Sequence, residues 1–139
     1  MTTIEEALEG STPLAEKVRA GGPYHTTADL VAQMRAVLPT LTEAEKVATL
    51  NAHPRIGEDP RHLSERSLRE QGAKTVPELD RLNAEYERRF GFRFVVFVNR
   101  RPKAQIVEVL QERLHRSREE EMEEGLRAIV AIAEDRLRS

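Results

Sequence analysis

Asn51-Ala52-His53-Pro54-Arg55-Ile56-Gly57-Glu58-Asp59-Pro60 is the stretch around which this 139-residue chain is organised. His53 closes a helical pattern, and Pro54 drives it out of the α region because the pyrrolidine ring clashes with the backbone of the residue before it. A titratable ring is thereby placed at a forced helix exit. Gly57 and Pro60 follow closely, which suits the wall of a pocket better than a linker. On both sides of this interruption apolar residues recur at spacings of three and four, the signature of amphipathic helices.

Working outward, Thr42 caps the helix that runs through Leu50 and delivers His53. Upstream of it, Leu30, Met34 and Val37 share a face of a helix over residues 27–38 that Pro39 stops. Before that, Thr3 caps a short helix ending at Gly10, and Ser11 with Pro13 starts a second that Gly21-Gly22-Pro23 ends. Downstream, residues 64–71 form a short helix ended by Gly72, on which Ser67, Glu70 and Gln71 lie along one face. Pro77 begins a helix with Leu79, Leu82, Tyr86 and Phe90 on one side, ended by Gly91. Residues 92–98, Phe-Arg-Phe-Val-Val-Phe-Val, are the one strand-like run by propensity. A lone strand has no sheet to join, so this run is either a strand or an extended segment between helices, and its backbone groups need other partners. Pro102 opens a helix to about His115, and Ser117 caps a last one over residues 118–137. The expectation is an all-α, single-domain bundle over residues 1–139 with about seven to eight helices and one extended segment.

Composition narrows the function. The chain is 33% charged with 24 acidic and 22 basic residues, a net charge of −2. It therefore lacks the basic excess that nucleic-acid binding requires. It has no cysteine, which removes disulfides, thiolate nucleophiles and Cys-based zinc sites and is compatible with a reducing cytosol. The N-terminus shows no signal-peptide pattern and no apolar run is long enough for a membrane span, so a soluble, cytoplasmic protein without membrane contact is expected.

The chemistry gathers on a few side chains. In the last helix, Met122, Leu126, Ile129 and Ala133 form a core stripe that continues to Arg136. A guanidinium there either snorkels to water, the commoner outcome, or meets an anion inside. His53, Glu70, Ser67, Gln71 and Arg136 together would supply a proton-transfer pair, neutral hydrogen-bonding groups and a fixed cation, a set suited to a small anionic substrate. A metal site at His53, Glu58 and His62 is disfavoured because Pro54, Gly57 and Pro60 interrupt the spacing a helix would need. His25, His62 and His115 read as surface or structural rings, and Ser67 and Gln71 could equally be a solvated helix face. No phosphate loop or nucleophile elbow is present, which argues against a covalent intermediate.

Taken in order, His53-Pro54-Arg55-Ile56-Gly57-Glu58, Ser67-x-x-Glu70-Gln71, Asn83-x-x-Tyr86, Phe90-Gly91-Phe92-x-Phe94 and the terminal Arg136-Leu137 resemble the 2-oxo-4-hydroxy-4-carboxy-5-ureidoimidazoline (OHCU) decarboxylases of urate degradation. That resemblance implies an all-α fold and cofactor-free, metal-free decarboxylation to (S)-allantoin. It implies His53 as catalytic acid/base, Glu70 as its carboxylate partner and Arg136 facing the substrate's charge. Pro54, Ser67 and Gln71 would line the site, with Phe94, Val95, Val96, Phe97 and Val98 offering backbone groups. The partner implied is a small anionic ureide, and a homodimer is the family-level expectation. The chain departs from the pattern at Arg93, where many relatives carry Pro, and at Arg100 and Pro102, in a stretch that is usually Gly-Arg-Ser. Two rivals remain: a divergent member acting on another ureide, and a non-catalytic helical interaction module.

Overall fold

A computed structural model describes residues 2–56 and 77–139. Its elements are α1 (Ile4–Ala7), α2 (Pro13–Ala20), α3 (Thr27–Val37), α4 (Glu43–Asn51), α5 (Pro77–Phe90), α6 (Lys103–Arg113) and α7 (Arg118–Arg138), with a single 3-10 turn at Leu38–Thr40. No strand occurs among the described residues, so the all-α expectation holds. The helix starts follow from local chemistry. Thr3, Thr42 and Ser117 each close a capping box, with Glu6, Glu45 and Glu120 respectively reaching back to the cap's own N–H. Each box satisfies two of the donors that a helix N-terminus leaves unpaired. Thr12 rather than Ser11 caps α2, because its hydroxyl accepts from Ala15 N at 3.1 Å with Pro13 already in the first turn.

The long α7 is the central element, packed against α1, α3 and α4, while α5 packs on α6. Its buried positions include Met122, Gly125, Leu126, Ile129, Val130, Ala133 and Arg136, spaced at threes and fours as an inward stripe requires. Gly125 permits the closest approach of a neighbour: a Cβ there would stand 2.7 Å from Leu50 Cδ2 of α4. In α3 the core is met by Val31, Met34 and Val37, and Leu30 is only half-buried. Met34 and Val37 thus face inward as expected, and Val31 takes the innermost place at the start of the helix with Leu30 beside it.

Residues 93–98 run extended without a ladder. Of the run that reads as strand, Phe92, Phe94, Val95 and Val96 are buried and Phe97 and Val98 half-buried. Packing against aromatic neighbours takes the place of a sheet: the Tyr86 ring lies 5.3 Å from Phe94 and 6.1 Å from Phe92 by centroid, both edge-on. The carbonyls are met by guanidinium groups. Arg113 Nη1 donates to Val95 O at 2.9 Å, and Arg101 donates to Phe97 O at 2.5 Å and Val98 O at 3.1 Å. The turn that follows holds Asn99 at φ 47° and Arg100 at φ 64°, both in the left-handed region that disfavours side chains other than Gly, Asn or Asp.

Arg113 is itself buried and gives its Nε to Glu121 at 2.7 Å, and Tyr86 donates its hydroxyl to the same carboxylate oxygen at 2.6 Å. Burial, and then the Glu121 carboxylate, raise the Tyr86 phenol well above its ordinary range, so it stays a donor. Removing one member of a buried pair strands the other charge in a medium that solvates it poorly, at a cost of ~3–5 kcal/mol. Arg113→Met should therefore lower the unfolding free energy by ~3–5 kcal/mol in urea titrations. The double replacement Arg113→Met with Glu121→Met should recover part of that loss.

Candidate functional site

The imidazole of His53 is buried, with 4% of the residue exposed. The segment that carries it is held on several sides. Asn83 Nδ2 of α5 donates to Ile56 O at 2.6 Å, and Glu87 of the same helix takes the Arg55 guanidinium through two contacts at 2.5 and 2.9 Å. Arg93 Nη1 donates to His53 O at 3.0 Å, while Arg93 N donates to Asn51 Oδ1 at 2.9 Å. A proline at position 93 could make neither of these last contacts, having no N–H and no guanidinium. The departure at Arg93 thus ties the extended segment to the helix exit that presents His53.

Neither ring nitrogen of His53 has a hydrogen-bond partner among the described residues. The Thr49 backbone lies near enough to favour the protonated ring slightly, yet burial outweighs it. Desolvation, with a smaller opposing push from Glu9 and a further depression by Arg136, lowers the His53 pKa to about 4. The ring is neutral at pH 7 and able to accept a proton, rather than poised at neutrality as an exposed imidazole would be.

Arg136 meets an anion inside instead of snorkelling. Its side chain is 2% exposed and its Nη2 stands 2.8 Å from Oε1 of Glu9, whose side chain is 9% exposed. Nη1 donates to Ala7 O at 3.1 Å and to Glu6 O at 3.4 Å, the carbonyl end of α1, where a helix carries partial negative charge. Glu9 went unnoticed in the sequence because nothing in its local pattern marks it. The available hint was that Arg136 on a buried stripe demands a carboxylate somewhere.

The residues expected at the site fall into two groups, those within the described residues and those outside them. His53 and Arg136 are both buried and electrostatically coupled, and Pro54 follows the imidazole as a half-buried residue. Glu70, Ser67 and Gln71 lie outside the described residues, as do Glu58 and His62 of the disfavoured metal set. No group of three or more His, Cys, Asp or Glu residues is arranged to hold a metal ion among the described residues. A hollow of about 240 Å³ lined by Asn51, Arg55, Glu87 and Arg93, and another of about 520 Å³ beside Phe97, Arg101 and Arg127, do not include the His53 ring.

The depressed pKa has a consequence for stability. The unfolded chain takes up a proton on His53 near pH 6.5, and the folded chain resists until about pH 4. Between those values protons favour the unfolded state, so this contribution is complete above about pH 6.5 and lost as pH falls toward 4, amounting to about 3 kcal/mol. Urea titrations at pH 7 and pH 4.5 should show a steeper loss of stability for the native chain than for His53→Asn, which has no ring to protonate. Equal slopes would place the imidazole in contact with water.

The sequence profile described as OHCU decarboxylase matches residues 1–138. The uric acid degradation bifunctional protein PucL of Bacillus subtilis is 30% identical over 143 residues, covering 97% of this chain and 29% of that protein. The chain thus spans less than a third of the length of that relative. The 2-oxo-4-hydroxy-4-carboxy-5-ureidoimidazoline decarboxylase of Haloferax volcanii is 29% identical over 140 residues, with 95% of this chain and 83% of that protein covered. A crystal structure of OHCU decarboxylase in the presence of (S)-allantoin shares the fold, with a TM-score of 0.77 at 22% identity over 96% of this chain and 92% of the other. Since the family's profile runs through all of the chain but its last residue, this chain belongs to the OHCU decarboxylase family.

Proposed function

We propose that this chain decarboxylates 2-oxo-4-hydroxy-4-carboxy-5-ureidoimidazoline to (S)-allantoin in the breakdown of urate. Family membership supports the reaction. The observation that carries it to particular atoms is His53, a buried neutral imidazole with both nitrogens unpaired among the described residues, in the field of a buried arginine. An unsatisfied polar group in a protein interior is destabilising by about 1–3 kcal/mol, and a ligand supplying a hydroxyl would relieve it. A non-catalytic helical module gives no reason to retain such a group.

The substrate makes the chemistry tractable without an electron sink from outside. Its carboxylate sits on a ring carbon that also bears a hydroxyl and adjoins a C=N bond. As the bond to the carboxylate breaks, its electron pair forms a C=C bond to the neighbouring carbon, and the C=N π electrons move onto nitrogen, which takes a proton. Loss of the hydroxyl proton and protonation of the neighbouring carbon then give the ring amide carbonyl of allantoin. Neutral His53 is in the correct form to accept the hydroxyl proton. Glu70 would orient the ring, and Arg136 would meet the substrate carboxylate. Pro54, Ser67 and Gln71, with the backbone of Phe94, Val95, Val96, Phe97 and Val98, would line the pocket. In that segment the Val95, Phe97 and Val98 carbonyls already accept from arginines, which leaves their amide N–H groups as the better candidates for a ureide oxygen. A cytosolic setting and a homodimer complete this reading, the first in keeping with a chain free of cysteine.

The test generates the substrate in situ from urate with the two preceding enzymes and follows (S)-allantoin by circular dichroism. The native chain should speed appearance of the chiral product. His53→Asn should reduce kcat by about 10³-fold or more while the far-ultraviolet spectrum stays helical. A fully active variant would remove His53 from the mechanism, and an inactive native chain would point to another ureide.

A further inference from the structure

The Glu9–Arg136 contact is made by residues from opposite ends of the chain, and its backbone setting is unusual. Glu9 has φ 62° and is followed by Gly10 at φ 117°. Glutamate is a poor choice for the left-handed region, where glycine would sit without steric conflict. The conformation turns the chain sharply after α1, with Gly10 N donating to Glu5 O at 2.8 Å. The same turn leaves the Glu9 carboxylate on the Arg136 guanidinium. Strained backbone is retained where the side chain it presents is needed.

We propose that Glu9 is a positioning residue of the site, holding the Arg136 guanidinium in the pose in which it meets the substrate carboxylate. This rests on the decarboxylase reading above. A guanidinium is a flat fork, so its plane is fixed once two sides are engaged. Here Glu9 takes Nη2 while the Glu6 and Ala7 carbonyls take Nη1. The carboxylate also moderates the cation. Arg136 lowers and Glu9 raises the basicity of His53, so the pair presents donors to an anion without making the imidazole a still weaker base. The reaction discards the very carboxylate that Arg136 grips. An unopposed cation would bind that group in the ground state more strongly than in the transition state, where its charge is leaving.

Three variants separate this from a structural role: Glu9→Gln, Arg136→Gln and the two together. Glu9→Gln should lower kcat about tenfold or more with KM unchanged or reduced. Arg136→Gln should raise KM. The double variant should match Arg136→Gln alone to within about threefold, because residues acting as a unit are not additive. Glu9→Gln with native kcat, or a double variant showing the product of the single losses, overturns the proposal. So does a joint rise in KM and fall in kcat that tracks a fall in Tm. If Glu9→Gln does not fold, the double variant and Glu9→Asp carry the comparison, the aspartate retaining charge on a shorter arm and recovering part of kcat. Nitrogen-15 spectra read the hold on Arg136 apart from turnover. Its guanidinium N–H signals should be separate and slowly exchanging in the native chain and merged in Glu9→Gln, and identical signals in both would refute the hold. An inactive native chain with the separate signals would instead fault the assigned reaction.

Discussion

The buried charges of the C-terminal helix set the constraint on which the rest of the structure depends. α7 carries hydrocarbon along most of its inner stripe, but it also takes Glu121 near one end and Arg136 near the other out of water. Each ion must find its partner at one particular place, whereas a leucine is content with any apolar neighbour of suitable shape. At the first end, Glu121 gathers Tyr86 from α5 and Arg113 from α6. At the other, Arg136 gathers the end of α1 and the turn that follows it. Two ion pairs thus fix where the flanking segments sit along a helix that could otherwise slide by a turn.

Those fixed points organise the ground around His53. Arg113, held by Glu121, reaches on to Val95 O and lies over the Phe94 ring, with its carbon 4.6 Å from the centroid. The extended segment is thereby paired without a sheet. Arg93, at the start of that segment, then holds the His53 carbonyl. From α7 to the main chain of His53 the contacts run through Glu121, Arg113, the extended segment and Arg93, with hydrogen bonds at both ends of that segment. At the opposite end of α7, Arg136 and Glu9 set the field in which the ring titrates. Among the described residues neither ring nitrogen has a hydrogen-bond partner.

Much of this was legible in the sequence, and the legible part is local. Thr3, Thr42 and Ser117 announce helix starts because a cap and its box involve residues three apart. His53-Pro54 announces a helix exit because a proline acts on its immediate predecessor. The cap at Thr12 rather than Ser11 and the inward turn of Val31 rather than Leu30 are one-position differences, decided by which hydroxyl reaches the free N–H groups and which face α7 covers.

By itself, then, the sequence determined the helices, their caps, the broken exit at His53 and, through its ordered motifs, the family. Only the tertiary structure decided that Arg136 turns inward to Glu9, that arginines pair the carbonyls of the extended segment, and that His53 is neutral. The reason is physical. Helix formation is governed by neighbours within a turn or so, whereas desolvation and ion pairing are governed by whatever packing brings close. Glu9 and Arg136 stand near opposite ends of the chain, and no local pattern in either segment names the other.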